Sequence, residues 1–221
     1  RLVGVRSVDL KREHQKCVAL LLNLLPATVA DQLKQSGHAE PQVFTDVSVM
    51  FADLVGFTEA SAAMTPSQTI AELNLLFSAF DDIASRNGCE RIKTIGDAYL
   101  AVAGLDGATL PGARATNLTR MAREMLAFLD GRRASSAIAW ELRIGIHSGD
   151  VVGGVVGVRK YIYDIFGDTV NTASRMQAES EPGTITVSAC TAQLIGGTFP
   201  LISRGPVAVK GKGEMELFSV V

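Results

Sequence analysis

The chain has 221 residues, 47% hydrophobic and 20% charged, enough for one large domain with a filled core, which rules out intrinsic disorder. Lys plus Arg (21) nearly balance Asp plus Glu (23), so no overall basic field favours nucleic acid as a partner. Three well-separated cysteines, Cys17, Cys89 and Cys190, speak against a disulfide framework or a zinc site and point to a reducing, cytoplasmic compartment.

The N-terminal apolar run from Cys17 to Leu25, broken by Asn23, falls far short of the roughly 20 residues that cross a bilayer. The chain starts at Arg1 with no signal-peptide pattern and therefore reads as a piece of a longer protein. Leu10, His14, Cys17, Leu21 and Leu24 recur at spacings of four and three, a short heptad seam that Pro26 interrupts and Gly37 ends. Residues 1–40 are accordingly expected to form a helical transmitter or dimerisation segment, packed on its own domain or paired in a parallel coiled coil. A single domain is expected over 41–221.

Val47–Leu54 reads as a buried strand. Thr65 and Pro66 supply an N-cap and first helical position; Ile70, Leu73, Phe77, Phe80 and Ile83 then keep a helical stripe until Asn87-Gly88. Arg91–Ile95 and Ala98–Ala103 form a hairpin around Gly96-Asp97, Pro111–Asp130 a second helix, and Glu141–His147 a fourth strand. The order βαββαβ predicts an α+β fold, a ferredoxin-like antiparallel sheet with helices on one face. A C-terminal α/β extension follows, with strands at Val151–Val156, Thr184–Val187, Val207–Val209 and Glu216–Val220 and a helix from about Val170 to Ala178.

Val47, Val49 and Phe51 share one face of the first strand, and Asp53 is next on that face, where the pattern calls for an apolar side chain. Asp53 therefore either lies at an exposed strand end or is neutralised by a cation. Asp97, behind Gly96, suits a hairpin turn for backbone reasons alone. Together the two carboxylates suit a hard ion such as Mg²⁺. Asn171 and Arg175, four apart on a helix, reach one ligand together or line a solvated face. Lys210-Gly211-Lys212-Gly213 either offers cations and N–H groups to phosphate or is a plain turn; Lys210 is the chosen contact.

Five segments carry a resemblance: Phe51-Ala52-Asp53-Leu54-Val55-Gly56-Phe57-Thr58, Arg91-Ile92-Lys93-Thr94-Ile95-Gly96-Asp97-Ala98-Tyr99, Gly145-Ile146-His147-Ser148-Gly149, Tyr163-Asp164-Ile165-Phe166-Gly167-Asp168-Thr169-Val170-Asn171-Thr172-Ala173-Ser174-Arg175-Met176, and Val209-Lys210-Gly211-Lys212-Gly213. In that order they resemble the class III nucleotidyl cyclase catalytic domain, over nearly everything from Val43 to Val221. The resemblance implies closure of ATP or GTP to a 3′,5′-cyclic monophosphate with loss of pyrophosphate. It implies that Asp53, Leu54 and Asp97 hold two divalent ions, Mg²⁺ or Mn²⁺, that Asn171 orients the ribose, that Arg175 stabilises charge on the α-phosphate, and that Lys210 contacts phosphate. It assigns base recognition to Lys93 and Asp164.

A lysine ammonium complements adenine N1 and a carboxylate accepts from its N6; guanine reverses both edges. The family's guanylyl members carry Glu and Cys at these two places, so ATP is the expected substrate. In the family the metal aspartates come from one subunit and the base-reading and transition-state residues from the other. A chain with both sets implies a homodimer with two equivalent sites, and the parent chain is expected to hold an upstream sensor or membrane domain. A silent nucleotide-binding domain and a guanylyl cyclase are the competing readings. His147 and the tyrosines Tyr161 and Tyr163 are expected to pack rather than react.

Overall fold

A computed structural model describes residues 25, 27–107, 109–134, 136, 138–157 and 161–221. The heptad seam from Leu10 to Leu24 lies outside the described residues. Two compact units emerge: Val43–Val151 with Phe166–Val221, and Arg1–Gln42 with Val152–Ile165.

The larger unit starts with β1 (Gln42–Leu54, from Val43), then α2 (Phe57–Ala62), α3 (Pro66–Arg86), β2 (Glu90–Ile95), β3 (Ala98–Ala103), α4 (Pro111–Arg132) and β4 (Leu142–Val156, to Val151). It closes with α5 (Asp168–Ala178), β6 (Thr184–Ser188), α6 (Ala189–Ile195), β7 (Leu201–Val209) and β8 (Gly213–Val220). The smaller unit holds α1 (Ala27–Ser36), the last five residues of β4, and β5 (Ile162–Phe166, to Ile165), which pairs with β4. The sheet order is β2-β3-β1-β4-β6-β8-β7. β4 and β6 run parallel, whereas β1–β3, β2–β3, β6–β8 and β7–β8 are antiparallel.

The expected βαββαβ order is present, with sequence reasons for its helices. Thr65 caps α3 in a full capping box, its hydroxyl accepting from the Gln68 N–H while Gln68 Oε1 accepts from the Thr65 N–H at 2.9 Å. Leu76, Phe80 and Ile83 then bury one stripe of α3. Ile70, expected on that stripe, stands 61% exposed, because the buried face begins a turn later. Helices α3, α4 and α6 pack on the sheet face that carries Met50, Ala52, Leu54, Ile144, Ile146 and Val187, in one continuous core. Each fully buried large side chain there contributes about 1.5–3 kcal/mol.

The other face is different. Gly145 lies on it, with Arg143 and His147, by the two-residue period. A Cβ on Gly145 would stand 1.9 Å from the Gln177 backbone nitrogen, so only glycine lets α5 lie against the strand. The two helices of the βαββαβ unit, α3 and α4, share one face as expected, and α5 of the C-terminal extension lies on the other, the side where Asp53 emerges.

β4 runs unbroken where two strands were expected on either side of Ser148-Gly149-Asp150. Thr169 donates its hydroxyl to the Asp150 carbonyl at 2.6 Å, and Asp150 Oδ1 accepts from the Asp46 N–H at 3.0 Å, so these polar residues bond in place instead of turning the chain.

Candidate active site

Antiparallel pairing of Ala52 with Tyr99 puts the β2–β3 turn beside the end of β1. Gly96, at φ 63°, takes the left-handed conformation that this tight turn needs. Asp53 and Asp97, 44 positions apart, are therefore brought side by side. Burial, then the neighbouring Asp53 charge, push the Asp97 carboxyl above the ordinary carboxylate range; its own backbone N–H and Arg143 pull the other way. Arg143 donates to Asp53 Oδ2 at 2.8 Å, and Gln177 of α5 reaches the same oxygen at 3.5 Å. The Arg143 Nε is buried with no partner among the described residues.

Two half-buried carboxylates side by side, with a guanidinium against one of them, form an acidic pair in need of positive charge. That donor set fits a hard divalent cation, which takes one or two carboxylates and leaves its other positions to water and phosphate. No group of three or more His, Cys, Asp or Glu side chains capable of holding an ion occurs among the described residues. The Leu54 side chain is buried in the core, so only its carbonyl oxygen is available to a ligand.

α5 buries Thr169, Thr172, Ala173 and Met176. Asn171 and Arg175 fall on its other side, Asn171 exposed and Arg175 half-buried. Among the described residues neither side chain meets a hydrogen-bond or ion-pair partner, and neither touches the acidic pair. Lys210 is exposed at the β7–β8 turn, whereas Lys212 folds back to pair with Asp168 at the start of α5. Lys93 is half-buried on β2 opposite Leu100, next to a shift of register after Arg91. Asp164 lies in the smaller unit, on β5, where its Oδ1 accepts from the Ile165 N–H at 2.9 Å. Tyr163 packs inward as expected; Tyr161 precedes β5 and is about half exposed.

The geometry sets an acidic pair at a strand end beside a helix on the same sheet face whose Asn171 and Arg175 meet no partner among the described residues. Residues 39–221 match the family model of the adenylate and guanylate cyclase catalytic domain. The chain belongs to that family. It is 41% identical over 98% of its length to the receptor-type guanylate cyclase gcy-20 of Caenorhabditis elegans, covering 20% of that protein, and 40% identical over 99% of its length to the human atrial natriuretic peptide receptor 2, covering 21%. The chain thus spans about a fifth of these curated relatives. Among solved structures, the guanylate cyclase domain of RhGC from Catenaria anguillulae, crystallised with GTP, superposes with a TM-score of 0.75 at 35% identity, covering 83% of this chain and 98% of that one. The adenylyl cyclase CyaB of P. aeruginosa gives 0.77 at 28%, with 83% and 96% covered. This cyclase domain therefore has the mixed α+β fold of its family. No helix of the described residues is long and apolar enough to cross a membrane.

Sequence reasoning missed Arg143 and Gln177 as neighbours of the cyclase acidic pair. A signal for Arg143 existed: within Leu142–Ile146 it is the one charged residue on a strand whose alternate positions are core leucine and isoleucine. Gln177 gave none, since its role depends on α5 lying against Gly145. We expect Arg143→Met, which keeps the apolar stem and removes the fork, to lower kcat/KM by about 10²-fold; steady-state kinetics with unchanged thermal melting would check it.

His147, on the same strand face, bonds Ser188 Oγ through Nδ1 at 2.7 Å. Burial lowers its imidazole to about 4; the Asp168 carboxylate opposes that and Lys212 adds to it. An unfolded histidine titrates near 6.5, so this group contributes stability above that pH, lost as pH falls toward 4. The melting temperature should drop over that window more steeply in the native chain than in His147→Gln, as pH-series calorimetry would show.

Proposed function

We propose that this domain is an adenylyl cyclase that converts ATP to 3′,5′-cyclic AMP and pyrophosphate at sites shared between two copies of the chain. The carrying observation is the pair Lys93 and Asp164, donor and acceptor for adenine N1 and N6, in place of the reversed pair that guanine requires. One solved relative, a rhodopsin-guanylyl cyclase core with converted specificity, 36% identical to this chain, was crystallised with ATPαS. Overall identity favours a guanylyl reading, because the curated relatives cited above include a receptor-type guanylate cyclase. We weight the base edge more heavily, since residues away from the purine do not discriminate it.

Asp53 and Asp97, with the Leu54 carbonyl, would hold two divalent ions, Mg²⁺ or Mn²⁺, which supply charge neutralisation for the triphosphate and a lowered pKa for the ribose 3′-hydroxyl. Asn171 holds the ribose so that its 3′-oxygen lies in line with the α-phosphorus. The 3′-hydroxyl gives up its proton to solvent water, the new bond from oxygen to the α-phosphorus forms, the bond from that phosphorus to the bridging oxygen of the β-phosphate breaks, and pyrophosphate leaves. Arg175 donates to the α-phosphate oxygens as charge gathers there, and Lys210 neutralises the remaining phosphates. Arg143, whose Nε has no partner among the described residues, turns its fork to phosphate once Asp53 is neutralised.

The exposed Asn171 and half-buried Arg175, without partners among the described residues, support a site whose acidic pair belongs to the other subunit. Twofold symmetry then yields two equal sites. In the parent protein the domain would lie on the cytoplasmic side, driven by an upstream sensor or membrane domain. Purified chain given each nucleotide separately with Mg²⁺ or Mn²⁺ should form cyclic AMP; product from neither nucleotide would establish the silent-domain alternative.

A further inference from the structure

The β7–β8 turn is fastened to α5 at two points. At its base, buried Val209 packs with Met176 of α5 and with Leu217. At its tip, Lys212 pairs with Asp168, the first residue of α5, across 44 positions of chain. The Lys212 side chain is only 20% exposed, although lysine on a glycine turn normally extends into water. Gly211 and Gly213 flank it at φ 77° and 75°, left-handed conformations that fold the turn back on itself, and the Lys212 N–H closes it onto the Val209 carbonyl at 2.9 Å.

We propose that Lys212 is a positioning residue, latched by Asp168, which fixes the turn so that Lys210 is aimed at the triphosphate from a constant distance to Asn171 and Arg175. Lys210 lies two residues away, on the exposed side of that turn, and a free glycine loop would cost conformational entropy each time it engaged a phosphate. The latch removes that cost before substrate arrives. It rests on the cyclase reading only through the triphosphate, which ATP and GTP share, so it holds whichever purine is used.

Lys212→Met, Asp168→Asn, the double variant and Asp168→Glu test it, through kcat/KM and, without turnover, through calorimetric affinity for inorganic tripolyphosphate. Each single variant should weaken both by roughly tenfold, the scale of a modest misplacement. The double variant should be no worse than either single one, because both remove the same contact, and Asp168→Glu should restore affinity to within about twofold. Tripolyphosphate binding unchanged in all variants, or weakened by Lys212→Met yet tightened by Asp168→Asn, would overturn the proposal, the second result showing Lys212 to be a direct phosphate ligand. Loss of cyclic product with intact tripolyphosphate results would instead count against the function and leave the latch standing.

Discussion

Chains carrying Asp53→Ala and chains carrying Asn171→Ala will each be nearly inactive, down by at least about 10²–10³-fold, yet an equal mixture will regain about a quarter of the native rate. Asp53→Ala removes half of the acidic pair and strands the Arg143 fork that now rests on it at 2.8 Å. Asn171→Ala removes the proposed ribose contact from an exposed helix position whose neighbours Thr172 and Ala173 stay buried, so folding is spared. Random exchange makes half of the dimers mixed, and each mixed dimer has one site with both residues intact and one with neither. Half the dimers at half the capacity gives the quarter. Product formation after mixing, with dimer exchange followed separately, reads the outcome; mixed dimers that form and remain silent would show that one subunit carries the whole site.

The second large effect concerns the base. Lys93→Glu combined with Asp164→Cys should move the ratio of kcat/KM for ATP over GTP toward GTP by about 10²–10⁴-fold. Two buried polar groups of the wrong purine would otherwise stay unpaired, at roughly 1–3 kcal/mol each. Lys93 sits beside the β2 register shift, which sets its direction apart from the regular alternation of the strand. Each single change should impair both nucleotides, because one edge then matches each purine and the other opposes it. An unmoved ratio in the double variant would take Lys93 and Asp164 out of base recognition.

Much of this site could be read before any coordinates. Asp53 broke the apolar alternation of β1, and Gly96-Asp97 stood where a hairpin had to turn; what the sequence did not contain was the register of Ala52 on Tyr99 that joins them. Long periodic helices announced themselves: Thr65 and Pro66 began α3 as expected, although α4 ran past Gly131 to Arg132 because its last turn was held by neighbours rather than by local propensity. The six-residue α2 and seven-residue α6 are too short for a helical period to show. The crossing of α5 to the opposite sheet face was hidden in Gly145, a residue whose sequence context tells of a missing side chain but not of the backbone that fills the space. Lys212 stayed ambiguous for a related reason, since only folding brings Asp168 to it.

The most direct measurement offers the purified chain equal concentrations of ATP and GTP in one vessel with Mn²⁺ and quantifies both cyclic products by mass spectrometry. The account predicts cyclic AMP in large excess, in a reaction abolished by Asp97→Asn. Cyclic GMP equal to or exceeding cyclic AMP would contradict it.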